Sequence, residues 1–142
     1  MGRVKAMLTV RNAYDAYRAA EGQIPPSEVR TIEVEAIVDT GATYVCLPRA
    51  EIEKLGLRFA SNVPVRTANG RAVRRTFGGA EVELLGRSFS MGIMENNEDT
   101  PPVIGCLLLE ALDLVVDPRA ERVTTNPEHE GKWVVDCLAL SR

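Results

Sequence analysis

The residues best suited to chemistry are Asp39-Thr40-Gly41-Ala42, which follow the apolar run Ala36-Ile37-Val38 and occur once in the chain. An aspartate where a strand dives into the core is costly unless something satisfies or uses its charge. The threonine adds a small hydroxyl, and the glycine lets the backbone turn sharply. A carboxylate held this way can act as a general acid or base. Other reactive side chains are sparse. Cys46, Cys106 and Cys137 lie in apolar neighbourhoods without C-x-x-C spacing. That pattern reads as reduced thiols, with Cys46 and Cys106 as small core residues rather than nucleophiles. The single histidine, His129, sits in the polar run Asn126-Pro127-Glu128-His129-Glu130-Gly131 and reads as an exposed loop residue. With one histidine, Cys/His metal sites and most serine- or cysteine-type triads are hard to assemble. No metal and no cofactor are expected.

The elements that must position Asp39 fit within 142 residues, read as a single domain over 1–142 with a core over 31–118 and a tail over 119–142. A net charge of −3 points to no nucleic-acid or membrane partner. No signal core, myristoylation signal or run of ~20 apolar residues is present, so a soluble, cytoplasmic protein is expected.

Short strands separated by turn signals dominate. Val4 to Val10 reads as a strand, and residues 11–27 as a polar connection with one helical turn around Tyr14-Tyr17. Thr31 to Val38 alternates, with Ile32, Val34 and Ala36 on one face and Thr31, Glu33 and Glu35 on the other. Pro48 and Gly56 bracket a short helix over 49–55. Val63 to Thr67 and Val73 to Phe77 form a hairpin through Ala68-Asn69-Gly70-Arg71, Asn-Gly being a strong turn signal because both residues tolerate positive φ. Gly78-Gly79 is expected to end its second arm. Glu81 to Leu84 and Phe89 to Ile93 form another hairpin, and Val103-Ile104 a buried strand ending at Gly105. A helix over 106–112, a strand over 114–117 stopped by Pro118, and a strand at Trp133-Val134-Val135 complete the reading. Asp113 and Asp117 read as structural. Leu107 to Leu109 and Trp133 read as core or dimer interface. Two stretches echo each other: each is an apolar strand, a glycine turn and a short helix, a pattern compatible with duplication.

Ile37-Val38-Asp39-Thr40-Gly41-Ala42, an intervening hairpin and then Val103-Ile104-Gly105 resemble the retroviral-type (retropepsin-like) aspartic proteases. The Leu-rich helix and the strand ending in Asp117-Pro118 bring the resemblance closer to the prokaryotic single-domain members. The resemblance covers roughly residues 31 to 118. It implies a mostly-β, closed-barrel fold with one or two short helices, and an aspartic endopeptidase working as a symmetric homodimer on a polypeptide substrate. Chemistry leads to the same requirement. Two carboxylates must share one proton, since like charges that close cannot both ionise. The chain holds one Asp-Thr-Gly, so a second copy must supply the other Asp39.

By position, the resemblance assigns Asp39 as catalytic and Thr40, Gly41 and Ala42 as support for its loop. It assigns Thr67, Ala68, Asn69 and Gly70 to a flap over the substrate, and Gly105 to a structural turn. It also suggests that residues 132–140 could knit a dimer. Two positions depart from the family: Thr43 and Cys106 stand where an aspartate and an arginine usually pair. The hairpin is also basic, with Arg66, Arg71, Arg74 and Arg75. These charges could favour acidic substrates, but a solvated hairpin edge protected by charge is the preferred reading. The alternative to an enzyme is a catalytically silent, dimeric peptide-binding module of the same fold.

Overall fold

The computed structural model describes residues 4–137. Strand β1 (Lys5–Asn12) runs antiparallel to β2 (Thr31–Val38), with Lys5 opposite Ile37 and Arg11 opposite Thr31. The period-2 alternation holds: Leu8, Val10, Ile32 and Ala36 are buried, while Thr31, Glu33 and Glu35 face water. The chain continues through β3 (Val45–Pro48), helix α2 (Arg49–Leu55), β4 (Arg58–Thr67), β5 (Gly70–Leu84) and β6 (Arg87–Asn96). Then come β7 (Val103–Ile104), helix α3 (Cys106–Leu112), and a two-stranded ribbon of β8 (Leu114–Asp117) with β9 (Arg122–Thr125).

The large sheet is ordered β1-β2-β7-β3-β6-β5-β4, and β1 pairs again with β5, Thr9 to Asn12 against Ala80 to Glu83. The pairings therefore return to their start, leaving β4 outside the circuit as an edge. Leu47, Val82, Ile93 and Ile104 fill the interior, joined by Ile52 and Leu55 of α2 and Leu108 and Leu112 of α3. The fold is mostly β, as expected. No helix of the described residues is long and apolar enough to cross a membrane.

Several local expectations change. A further helix, α1 (Ala13–Ala20), replaces the single turn expected near Tyr14, so the described residues hold three α-helices rather than one or two. Asn12 caps it by accepting the Asp15 N–H at 3.0 Å, while its side-chain amide donates to Leu55 O at 2.8 Å. Asp15 is buried and accepts from the Arg30 backbone at 3.0 Å and from its guanidinium at 2.7 and 3.0 Å. Gly78-Gly79 does not end a strand. β5 runs through it with a register shift between Phe77 and Ala80, a bulge that Gly79 permits at φ 85°.

Trp133-Val134-Val135 forms no strand. Trp133 Nε1 instead donates to Ala111 O at 3.1 Å, and Val134 N–H to Asp113 Oδ2 at 3.1 Å. Trp133 is 47% exposed rather than core. Of the segment 132–140 suggested for a dimer strand, residues 138–140 lie outside the described residues.

Candidate active site

The parallel pairing of β2 with β7 sets Ile37 opposite Val103 and Val38 opposite Ile104. One bond further on, Asp39 N–H reaches Ile104 O at 2.9 Å, so the side chain emerges where β2 stops. Its Oδ1 accepts the Gly41 N–H at 2.9 Å, and Ala42 N–H bonds to Asp39 O at 3.0 Å, closing a tight turn. Asp39, Thr40 and Gly41 are exposed in this single chain and Ala42 is half-buried. The sequence led to a carboxylate in need of burial partners. The strand buries Ala36, but the aspartate lies beyond its end.

Close approach, not unusual backbone angles, explains both glycines of the site. Gly41 is absent from the positive-φ residues, and a Cβ there would lie 3.2 Å from Asp39 Oδ1. Gly105 has an ordinary extended φ of −89°. A Cβ on it would lie 2.5 Å from Thr43 C and Tyr44 O. The Asp39 loop thus rests directly on the entrance to α3, where Cys106 N–H bonds to Ala42 O at 2.8 Å and Leu107 N–H to Thr43 O at 3.1 Å. Cys106 is exposed, not a core residue.

The β4–β5 hairpin stands over this loop and bounds a groove of ≈ 480 Å³. Gly41 to Tyr44 form one wall, Val63, Val65, Thr67 and Arg74 of the hairpin form another, and Cys46 and Met94 also line it. Asp39 itself lines an adjoining hollow of ≈ 490 Å³ with Val38, Thr100 and Val103, so the turn divides the two spaces. The regular alternation of Val63 and Val65 was legible in the sequence. Tyr44 and Met94 gave no signal, because their place depends on β3 pairing with β6.

At the exposed hairpin tip, Thr67 pairs with Gly70 across a turn of Ala68-Asn69. The turn differs from the Asn-Gly type expected. Asn69 keeps a negative φ and Gly70 alone takes a positive one, 108°. Thr67 Oγ1 accepts the Asn69 N–H at 3.1 Å and donates to Gly70 O at 2.7 Å, fixing the tip.

The four arginines separate by strand face. Arg66 and Arg71 are opposite one another and exposed. Arg75 donates twice to Glu95, at 3.0 and 2.6 Å, and Arg49 adds a third bond at 3.1 Å. The Arg75 hydrogen bonds hold the Glu95 carboxyl below the usual carboxylate range. Arg74 is half-buried and lines the groove. Burial pushes the Cys46 thiol up to about 11, with Arg74 pulling it down and Asp39 pushing it further up. Cys46 therefore lies within electrostatic reach of both.

His129 is not a free loop residue. It is half-buried, with Nδ1 2.6 Å from Asp113 Oδ2. That bond, followed by the Val134 N–H and the Asn126 amide, holds the Asp113 carboxyl below its usual value. Asp113 is structural, as expected, and it ties the segment after β9 to the end of α3. Asp117 also holds a turn, accepting the N–H groups of Arg119 and Ala120 at 3.1 and 3.2 Å. Among the described residues, no cluster of three or more metal-ligating side chains occurs.

The site thus consists of a strand ending in an exposed Asp-Thr-Gly turn, seated on a glycine and faced by a hairpin across a groove. The family described as "gag-polyprotein putative aspartyl protease" matches residues 9–111, and the chain belongs to this family. The protease of EIAV, equine infectious anaemia virus, solved with the inhibitor HBY-793, is similar in fold at a TM-score of 0.56. The two share 13% identity over 77% of this chain and 86% of that one. No curated protein sequence matches the chain.

Proposed function

We propose that the protein is an aspartic endopeptidase acting as a symmetric homodimer, with Asp39 of each chain forming the catalytic pair. The observation that carries this reading is the Asp39 carboxylate itself: exposed, fixed through one oxygen by Gly41 N–H, and placed at the mouth of β2 beside the groove. One carboxylate would deprotonate the attacking water while its twin donates a proton to the scissile carbonyl oxygen. The pair would titrate as a unit. The exposed Thr40 hydroxyl would bond across the dimer axis. Gly41 and Ala42 hold the loop, and Gly105 seats it. Thr67, Ala68, Asn69 and Gly70 would close over an extended polypeptide, pairing with its backbone and excluding water. We assign the whole chain to one domain, with the tail over 119–142 contributing to the dimer, in a cytoplasmic setting that keeps the thiols reduced.

One observation favours a second reading. The Gly41 N–H bond to Asp39 also fits an aspartate that merely caps its own turn, as a catalytically silent peptide-binding dimer would have. Cleavage of a peptide library between about pH 4 and 7, with Asp39→Asn as control, separates the two. Asparagine keeps the acceptor for Gly41 N–H, so the variant should fold. The protease reading expects activity to fall at least about a hundredfold in it. A wild type that cuts nothing, or a variant that cuts equally well, rejects that reading. A strict monomer at high concentration would remove the second carboxylate altogether.

A further inference from the structure

We propose that Arg74 makes the groove beneath the hairpin an acid-selecting subsite, which takes an aspartate or glutamate side chain of the bound polypeptide. The proposal rests on the peptide-binding part of the function above and extends it to a substrate class. Val63 is directly opposite Arg74, and Val65 opposite Ala72, so these residues share one face of the hairpin. All four are half-buried, and Val63, Val65 and Arg74 line the groove. The other face carries Arg66 and Arg71, which are exposed and fit the solvated, charge-protected edge. Arg66 lines the groove too, but from that face and exposed to solvent, whereas Arg74 is half-buried. Arg74 therefore differs in kind from its neighbours.

Its charge is also unspent. Glu95, the one acidic residue lining the same groove, accepts three bonds from Arg75 and Arg49. Asp39 reaches Cys46 electrostatically but makes no ion pair with Arg74. Among the described residues, no carboxylate lies within ion-pair distance of the Arg74 guanidinium. A half-buried cation set among Val63, Val65, Cys46 and Met94 is poorly compensated. A peptide carboxylate would supply the missing partner, and the planar guanidinium fork accepts it through two parallel bonds. Closure of the hairpin over the peptide would exclude water and strengthen the pair.

The test uses the full chain and matched peptides that carry Glu or the isosteric Gln at each position in turn. Wild type should process the Glu peptide about ten- to a hundredfold faster at one position, the effect of one charge-assisted bond. Arg74→Gln should erase that preference and Arg74→Glu should invert it toward Lys peptides. Arg71→Gln, on the outer face, should retain it. Binding of the same fluorescently labelled peptides to the Asp39→Asn variant, followed by anisotropy, reads the subsite without catalysis. An Arg74-dependent Glu preference in binding with no cleavage by wild type would uphold the subsite and reject the protease. Cleavage indifferent to Glu or Gln would overturn the subsite and leave the protease standing. A preference that survives Arg74→Gln, or none in either assay, also overturns it.

Discussion

Alanine at Gly105 tests the packing that seats the Asp39 loop. The new Cβ would lie 2.5 Å from Thr43 C and Tyr44 O and 2.6 Å from Thr43 O. All three are backbone atoms, so no side chain can rotate away. Ordinary contact begins near 3.4 Å, which requires α3 and the loop to part by about 1 Å. That movement pulls on Cys106 N–H to Ala42 O at 2.8 Å and Leu107 N–H to Thr43 O at 3.1 Å. Overpacking of this kind costs about 1–3 kcal/mol, and each weakened bond adds up to about 1 kcal/mol. A loss of about 3 kcal/mol is expected, or a Tm lower by roughly 10 °C for a chain this size. Urea unfolding should show a lower midpoint with an unchanged slope. Gly41→Ala is the contrasting case, because its Cβ would lie 3.2 Å from a movable atom, Asp39 Oδ1. It should cost under about 1 kcal/mol yet reduce peptide cleavage by displacing the carboxylate. A Gly105→Ala protein that unfolds within about 0.5 kcal/mol of wild type would refute the close packing of residues 43–44 on Gly105.

The Arg30 hydrogen bonds lower the Asp15 carboxyl, outweighing its desolvation. Its folded value lies below the unfolded one, so its stabilisation is complete above about pH 4 and fades as pH falls through the lowered folded value. Asp15→Asn should cost about 1–2 kcal/mol near neutrality, the half-exposure of Arg30 limiting the figure. It should also flatten the acid limb of a stability–pH curve, and an unchanged limb would show that other carboxylates dominate it. At pH 8 the Cys46 thiol, raised to about 11, should hold roughly 100-fold less thiolate than an ordinary cysteine. Iodoacetamide followed by peptide mass mapping should label exposed Cys106 and Cys137 well before Cys46. Equal labelling would mean that the groove wall is open.

Features encoded by neighbours in sequence were legible without coordinates. The alternation of β2, the apolar pair three apart in α2 and the Leu-rich α3 each follow from local periodicity, which the completed fold left intact. Features encoded by distant partners were not. Helix α1 depends on Asn12, whose amide holds Leu55 O, and on Asp15 finding Arg30, so its sequence read as a polar connection with a single helical turn. His129 looked solvated until Asp113 arrived from the end of α3. The pair Gly78-Gly79 has the same local signature whether it ends a strand or bends one, and only pairing with β6 made it a bulge.

The site divides along the same line. Asp39-Thr40-Gly41-Ala42 and Gly105 are identifiable from residue types alone, because a carboxylate after an apolar strand and a glycine before an apolar helix are local patterns. Why Gly105 is needed is a tertiary fact, since the distant backbone of Thr43 and Tyr44 crowds it, whereas Gly41 is crowded locally by an oxygen of Asp39 two residues before it. The arginines of the hairpin are four similar letters in sequence. Strand register turns Arg66 and Arg71 outward, and Glu95 captures Arg75. Arg74 is left half-buried in the groove wall, on the face it shares with Val63 and Val65, because register decides which side of a strand each residue faces and only the assembled sheet decides what waits there.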